Sequence, residues 1–176
     1  MLTVASKGWR SVAEIDGITV RGATSADVSD ICQFGETVVK PYYTPLIGAE
    51  ASASQVRVWW NREHISAAVN DATVVVAELD EQVIGVTQRG RYGEAYVIYK
   101  LYVAPAHRGR GLGGRLVRAL VQSLPAGVEQ VYTEHFAANK RAAAFYEREG
   151  FVVQRVEASP TGDPALAVVW RARPRD

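Results

Sequence analysis

The chain has 176 residues, a length that suits one compact domain with a sizeable core. Its 20 Lys and Arg residues almost balance its 19 Asp and Glu residues, and the formal charge of +1 gives no reason to expect nucleic acid or an anionic membrane as a partner. Because the sequence has one cysteine, Cys32, no signal-peptide pattern and no apolar run of about 18 residues, we expect a cytoplasmic protein without disulfides or membrane spans.

The N-terminal part of the chain is predicted to form one strand and two helical regions. Residues 18–22 form a short strand, and a helix over residues 24–39 begins at a Thr-Ser pair that can cap it. We expect Pro41 and Pro45 to end this helix. A second helical region is predicted over about residues 50–69, where apolar side chains recur at mixed spacings.

The middle of the chain carries strand patterns followed by a clear helical one. β-branched-rich runs at 73–79 and 82–88 are separated by an Asp-Glu pair, which predicts a hairpin with a tight turn. Residues 94–103 are predicted to form a long strand in the middle of the sheet. From residue 111 to 124 apolar residues recur at three- and four-residue steps, which predicts an amphipathic helix.

The C-terminal part is predicted to complete a mixed sheet. Residues 128–134 form a strand, and residues 139–149 form a helix with Gly150 suited to its left-handed C-terminal position. Two closing strands are predicted at 151–157 and 165–171. Strands that alternate with helices in this way indicate a mixed α/β sheet.

The segment between the long strand and the amphipathic helix has the parts of an anion-binding site. Four glycines within residues 109–114 let the backbone approach a phosphate, and the start of a helix offers unpaired N–H groups with a partial positive charge. Arg108, Arg110 and Arg115 add local positive charge. A glycine-rich turn that only starts a helix, with its arginines in solvent, would show the same residues.

A dinucleotide site is an alternative interpretation of the same glycines. Gly109, Gly111 and Gly114 satisfy G-x-G-x-x-G, and Glu134 lies 20 residues past the last of them. However, residues 104–108 separate the loop from its strand, whereas a dinucleotide fingerprint turns tightly out of its strand. Only 62 of the 176 residues follow Gly114, which is short for the rest of a doubly wound sheet.

Two segments of the chain resemble motifs of the GNAT family of N-acetyltransferases. The first motif is a strand with a Leu-x-Val-x-Pro-like end and an Arg/Gln-x-x-Gly-x-Gly/Ala loop, matched by residues 101–105 and 108–113. The second is a helix that opens at Asn, carries Tyr and ends in Gly-Phe, matched by Asn139, Tyr146 and residues 150–151. The match is good from about residue 73 to the C-terminus and weak before it.

This resemblance implies a single-domain GNAT-like α/β fold over residues 1–176, with a mixed, mostly antiparallel central sheet of about six or seven strands and helices on both faces. The core would span residues 18–171 and the acetyl-CoA-binding region about residues 94–151. The implied activity is transfer of the acetyl group of acetyl-CoA to a primary amine of a small molecule or peptide, in a ternary complex and without a metal. The protein would be a monomer or homodimer. A non-catalytic CoA-binding module is the alternative.

The resemblance also assigns roles to individual residues. The pyrophosphate of CoA would lie on the backbone of residues 108–114, the pantetheine arm would pair with the strand at 101–103, and Asn139 would contact the arm. Tyr146 would protonate the departing thiolate, and the N–H of Leu101, at a bulge, would stabilise the carbonyl oxygen. The residues assigned to the cosubstrate are Leu101, Tyr102, Val103, Arg108, Gly109, Arg110, Gly111, Leu112, Gly113, Gly114, Asn139 and Tyr146.

The base and the acceptor pocket are less well defined by the sequence. Glu134 is the first candidate for the base, with His135, Glu94 and Tyr99 as rivals. A lysine amine with a pKa near ~10.4 costs about 4 kcal/mol to deprotonate at pH 7.5, whereas an α-amino group near ~8 costs under about 1, so a weak base suffices only for the latter. The expected acceptor-pocket residues are Tyr42, Tyr43, Trp59, Trp60, Glu94 and Tyr99.

Overall fold

The computed structural model describes residues 12–15 and 17–175. Its strands are β1 (Val12–Ile15), β2 (Ile18–Gly22), β3 (Val74–Leu79), β4 (Gln82–Tyr92), β5 (Ala95–Val103), β6 (Gln130–Phe136), β7 (Val152–Glu157) and β8 (Val168–Pro174). Its α-helices are α1 (Val28–Phe34), α2 (Lys40–Ile47), α3 (Ala49–Trp59), α4 (Arg62–Asn70), α5 (Leu112–Gln122) and α6 (Lys140–Arg148). None of the helices in this part of the chain is both long enough and apolar enough to cross a bilayer.

All eight strands belong to one sheet, in the order β1-β2-β3-β4-β5-β6-β8-β7. Neighbouring strands are antiparallel, except that β5 and β6 are parallel. One apolar core lies between the sheet and α5, and a second lies between the opposite face and α1 to α4. The predicted fold class is confirmed: β2 to β8 account for seven strands, and β1 adds a short edge strand that the sequence did not predict.

The β3–β4 hairpin agrees with the sequence-based prediction. Asp80 and Glu81 adopt positive φ angles of 48° and 62°, as a two-residue turn between twisted strands requires. The last strand begins later than predicted, because a short helical turn at Pro164–Leu166, capped by Asp163, precedes β8. Gly150 has the predicted left-handed conformation, with a φ of 82°.

The prediction that Pro41 and Pro45 end the first helix is wrong. After α1 the chain forms a π-helical turn over Gly35–Val39 and continues directly into α2, which contains both prolines. Pro41 lies in the first turn of α2, and Pro45 lies in its last turn, where the missing N–H removes a single helical bond. The helix ends instead at Gly48, whose φ is 87°.

The second helical region is two helices, not one. α3 ends at Trp59, and Asn61 caps α4 by accepting a hydrogen bond from the N–H of His64 at 2.8 Å. The break turns Trp60 into the core, where it is 3% exposed. A Cβ on Gly35 would lie 2.7 Å from the Cβ of Trp60, so glycine at this position allows the close packing.

Candidate active site

The sheet opens between its two parallel strands. β5 and β6 pair through three residues each, of which Ile98 and Thr133 are the last. Directly after Ile98 the register between β4 and β5 shifts, which leaves Tyr99 as an extra, bulged residue. A cavity of about 390 Å³ is lined by residues of both strands beyond this point. The topology of the sheet therefore creates the pocket.

The pairing of β4 and β5 determines which backbone groups of β5 face this cavity. The N–H of Ala104 donates to the carbonyl oxygen of Ile84 at 2.8 Å. Along an antiparallel strand, residues that hydrogen-bond to the neighbouring strand alternate with residues that do not. The backbone groups of Leu101 and Val103 therefore point away from β4, toward the opening. Consistently, the carbonyl oxygen of Val103 accepts a hydrogen bond from Nε of Arg108 at 2.7 Å.

The glycine loop leads into α5, whose first N–H groups are unpaired. Gly111 is the N-cap residue, with a φ of 73°, and no side chain caps the helix. The first helical bond runs from the N–H of Arg115 to Gly111 at 3.2 Å, so the N–H groups of residues 112–114 have no acceptor within the helix. A Cβ on Gly109 or Gly111 would meet nothing within 4 Å. This bare backbone can approach a phosphate.

Gly113 and Gly114 allow α5 and α6 to pack closely. A Cβ on Gly113 would lie 2.8 Å from the ring of Phe145, and one on Gly114 would lie 2.9 Å from a carboxylate oxygen of Glu149. Both contacts come from α6 or the residue that follows it. The sequence pattern assigned all four glycines to the phosphate, whereas the structure gives this pair a packing role as well.

Replacing Gly113 by Ala is expected to destabilise the protein by about 1–3 kcal/mol, because the added methyl group overpacks the contact with Phe145. Thermal unfolding of the variant and the wild type measures the effect. The double variant Gly113→Ala, Phe145→Leu makes room for the methyl group and should recover most of the loss. An unchanged melting temperature for Gly113→Ala would contradict the packing role.

Arginines gather at the end of the cavity that contains the glycine loop. Arg108, Arg141 and Arg148 line it, and Glu149 lies beside them. Burial and the positive charge of Arg141 lower the pKa of Arg108. Arg110, which the sequence also assigned to the cosubstrate, is outside the lining of the cavity. Three cations beside unpaired N–H groups suit a ligand with several negative charges.

Asn139 connects the two sides of the cavity. Its Oδ1 accepts a hydrogen bond from the N–H of Ala142 at 3.0 Å, which caps α6. The same atom accepts a bond from the hydroxyl of Tyr42, on α2, at 2.6 Å. The guanidinium carbon of Arg108 lies 5.4 Å from the centre of the Tyr42 ring. These contacts fix Asn139 at the point where the glycine-loop end and the α2 side of the cavity meet.

Tyr146 lies on α6 and lines the cavity while being 6% exposed. Burial raises the pKa of its phenol well above the ordinary range, and an interaction with Thr133 opposes this only in part. The hydroxyl therefore stays protonated at neutral pH. A buried, protonated phenol is the form that a proton donor requires.

Glu134 faces the cavity from the other face of the sheet. Phe136, two residues along β6, packs into the core under α1 to α4, so alternation along the strand puts Glu134 on that side. Burial, followed by the negative charge of Glu157, raises the pKa of the Glu134 carboxyl, and Arg155 lowers it. A raised pKa makes this carboxylate a stronger base than an exposed glutamate.

The three rivals of Glu134 are less suited to act as a base. Nε2 of His135 accepts a hydrogen bond from Nε of Arg171 at 3.0 Å, and its pKa is lowered mainly by burial. Glu94 lies in the exposed β4–β5 turn, outside the cavity lining. Tyr99 lines the cavity, but burial raises the pKa of its phenol, so it is neutral at pH 7. Of the four candidates, Glu134 is favoured.

The aromatic residues predicted for the acceptor pocket divide into two groups. Tyr42, Tyr43 and Tyr99 line the cavity. Trp59 and Trp60 do not, since Trp59 is 51% exposed on the surface and Trp60 belongs to the core under α1 to α4. Helical spacing alone could not separate these cases, because α3 ends at Trp59 and the break before α4 begins at Trp60.

Several lining residues were not singled out in the sequence. On α6 and just after it these are Arg141, Ala142, Phe145, Arg148 and Glu149. They recur at three- and four-residue steps with Asn139 and Tyr146, so helical spacing could have identified them. His107, in the short helical turn at Pro105–His107, also lines the cavity. No three His, Cys, Asp or Glu side chains in the described part of the chain form a possible metal site.

A cavity between two parallel strands, lined by arginines and by the unpaired N–H groups at the start of α5, suits a phosphate-bearing ligand. A carboxylate and a buried phenol line the same cavity. Residues 70–153 match the profile of the acetyltransferase (GNAT) domain. This segment therefore matches a GNAT acetyltransferase domain, as the resemblance in the sequence implied, and the match supports an acetyl-CoA-dependent acyltransferase. A search of curated protein sequences found no match.

Solved structures of acetyltransferases share the fold at low sequence identity. The PaiA N-acetyltransferase of Thermoplasma acidophilum, in complex with coenzyme A, is 18% identical with a TM-score of 0.70, over 89% of this chain and 99% of its own. The ribosomal-protein-S18-alanine N-acetyltransferase of Escherichia coli is 16% identical with a TM-score of 0.67, over 90% and 94%. RimL, a ribosomal L7/L12 α-N-protein acetyltransferase in complex with coenzyme A, is 15% identical with a TM-score of 0.71, over 95% and 99%.

Proposed function

We propose that the protein is an N-acetyltransferase that moves the acetyl group of acetyl-CoA to a primary amine by direct attack in a ternary complex. The observation that carries the proposal is that Leu101, Glu134 and Tyr146 line one cavity, which continues to the unpaired N–H groups of α5. A cavity that joins a phosphate cradle to an acid and a base suits a phosphate-bearing acyl donor.

The residues present fit acetyl-CoA as the cosubstrate. The diphosphate would bind the N–H groups and arginines of the loop at 108–114, where Gly109 and Gly111 leave open space. The pantetheine arm would pair with the free edge of β5 at Leu101 and Val103, and Asn139 would contact it from α6. Arg108 would then leave the carbonyl oxygen of Val103, which it holds in this structure.

The reaction needs two proton transfers and one exchange of bonds. The amine nitrogen forms a bond to the thioester carbonyl carbon while the carbon–sulfur bond breaks. Glu134 accepts a proton from the attacking amine, and the Tyr146 hydroxyl donates one to the departing thiolate sulfur. The N–H of Leu101 stabilises the carbonyl oxygen, a contribution of ~10²- to 10³-fold in rate for one such donor.

We propose an α-amino group as the preferred acceptor. A buried carboxylate with a raised pKa is still a far weaker base than a lysine amine near ~10.4, whereas an α-amine near ~8 is already about one-quarter deprotonated at pH 7.5. Of the proteins with the same fold, one is named as an α-N-protein acetyltransferase of ribosomal L7/L12, and another is named as an alanine N-acetyltransferase of ribosomal protein S18.

Acetyl-CoA is expected to raise the melting temperature in proportion to the logarithm of its concentration, while NAD and ATP leave it unchanged. A thiol-release screen of peptides, amino acids, polyamines and other amines then identifies the acceptor. Stabilisation by NAD in place of acetyl-CoA would overturn the proposal in favour of a dinucleotide site. Tight acetyl-CoA binding without turnover on any amine would instead indicate a CoA-binding module.

A further inference from the structure

A buried cation lies behind the proposed acid. Arg171, on β8, is 9% exposed and lies opposite Thr133 of β6. Its Nε donates to Nε2 of His135 at 3.0 Å, and a terminal nitrogen donates to the carbonyl oxygen of Phe151 at 3.2 Å. Both partners are neutral acceptors, and none of the ion pairs within residues 17–175 includes Arg171. A charge that is buried without a counter-ion lowers the stability of the fold, so its presence at this position implies a function.

The hydrogen bonds of His135 define its protonation state. The guanidinium of Arg171 can only donate, so Nε2 of His135 carries the lone pair. Nδ1 lies 2.9 Å from the carbonyl oxygen of Phe136, which can only accept, so Nδ1 carries the proton. Arg171 thus holds His135 as the neutral Nδ1–H tautomer with both ring nitrogens engaged.

The imidazole in turn supports Tyr146. The two rings are nearly parallel, with an interplanar angle of 14° and a centroid separation of 6.2 Å. Phe145 and Phe151 pack edge-on against Tyr146 at 5.2 and 5.3 Å. His135 and Tyr146 both line the cavity, and Arg171 contacts His135 from β8. The three side chains therefore form a series of cation, neutral imidazole and phenol.

We propose that Arg171 and His135 are positioning residues for Tyr146, and that the charge of Arg171 favours the phenolate that exists briefly after proton donation. The inference rests on the proposed function, because Tyr146 must give its proton to the thiolate and regain one from solvent. A phenolate among apolar side chains is unfavourable, and a fixed cation one ring away offsets this. Stacking against a ring that cannot rotate keeps the hydroxyl directed at the cavity.

A double-mutant cycle separates this role from a purely structural one. Arg171→Met should lower kcat by ~10-fold or more while KM for acetyl-CoA changes less than about 2-fold. In a Tyr146→Phe background the same change should alter kcat by less than about 2-fold, because there is no longer a proton to donate. Arg171→Lys keeps the charge and should recover part of kcat. Equal losses in both backgrounds would overturn the proposal.

Arg173 supplies the matched control. It lies two residues farther along β8, donates to the carbonyl oxygen of Glu149 at 3.0 Å and stacks over Phe151 at 5.3 Å, but has no bond to His135. Arg173→Met should therefore retain kcat. If Arg173→Met lowered kcat as much as Arg171→Met, the effect would not depend on the contact with His135. This result would contradict the proposal.

An NMR measurement tests the same inference without turnover. The chain has three histidines, so the imidazole signals of His135 are identified by their loss in His135→Gln. In the wild type they should show the Nδ1–H tautomer and a pKa below that of an ordinary histidine, because burial and the charge of Arg171 lower it. In Arg171→Met the pKa of His135 should rise and the tautomers should mix. If Arg171→Met fails to fold, the kcat of His135→Gln decides, with a loss of ~10-fold expected. An absence of all turnover in the wild type would remove the proposed function and this inference with it. An unchanged His135 titration in Arg171→Met, with wild-type turnover present, would remove this inference alone.

Discussion

Replacing Glu134 by Gln is expected to lower kcat/KM by ~10²- to 10⁴-fold, the range that a general base contributes. The amide side chain would keep the size and burial of the glutamate but could not accept the proton of the amine. Acetyl-CoA affinity should be unchanged, because the carboxylate lies on the sheet face opposite Tyr146, away from the arginines of the loop. Steady-state kinetics with a saturating concentration of acetyl-CoA measures the effect.

The pH dependence of kcat/KM makes this prediction sharper. Both the acceptor amine and Glu134 must be deprotonated, so the rate should fall as pH falls through each pKa. Burial and Glu157 raise the pKa of Glu134, so the lower break should lie above the usual ~4.3 of a glutamate. Below it the logarithm of kcat/KM should fall with a slope of about 2 per pH unit. In Glu134→Gln the slope should stay at about 1.

Glu94→Gln is the matched control, because that carboxylate is fully exposed in the β4–β5 turn and has only a 3.9 Å ion pair with Arg91. Its kcat/KM and pH profile should be those of the wild type. If Glu134→Gln retained a slope of about 2, the second deprotonation would belong to another group, and Glu134 would not be the base.

The part of the fold from β3 onward could be predicted because its elements follow local rules. The apolar stripe of α5, the tight turn at Asp80 and Glu81, and the glycine after α6 each follow from nearby residues alone. The part before β3 was less predictable. Whether a proline ends a helix depends on the π-helical turn before α2, and this turn is stabilised by packing of Trp60 against Gly35. Such contacts join residues far apart in sequence.

The candidate site shows the same division. Asn139 was assigned to the site through the resemblance and the loop at 108–114 through its glycines, and most of these residues line the cavity. To predict which side of β5 faces the cavity, one must know that Tyr99 forms a bulge. This bulge is visible only in the register of two paired strands. The Arg171–His135 contact spans 36 residues across neighbouring strands, so no local pattern could indicate it.

Replacing Tyr146 by Phe is expected to lower kcat by ~10²- to 10³-fold while the affinity for acetyl-CoA stays nearly constant. The phenol is buried, and burial raises its pKa far enough that it remains protonated through the accessible pH range. Its loss therefore removes a proton donor at every pH, and the pH profile of the variant should keep the shape of the wild type. This differs from Glu134→Gln, which changes the shape.

Stability must be separated from chemistry in this variant, because Tyr146 belongs to the core. Loss of the hydroxyl and its interaction with Thr133 should cost about 1 kcal/mol, so kinetics are measured well below the melting temperature. Tyr132→Phe is the matched control and should retain kcat. The hydroxyl of Tyr132, on β6, donates a hydrogen bond to Gln130 at 2.9 Å. If Tyr146→Phe kept kcat while its stability fell, the residue would be a packing element, and the thiolate would take its proton from water.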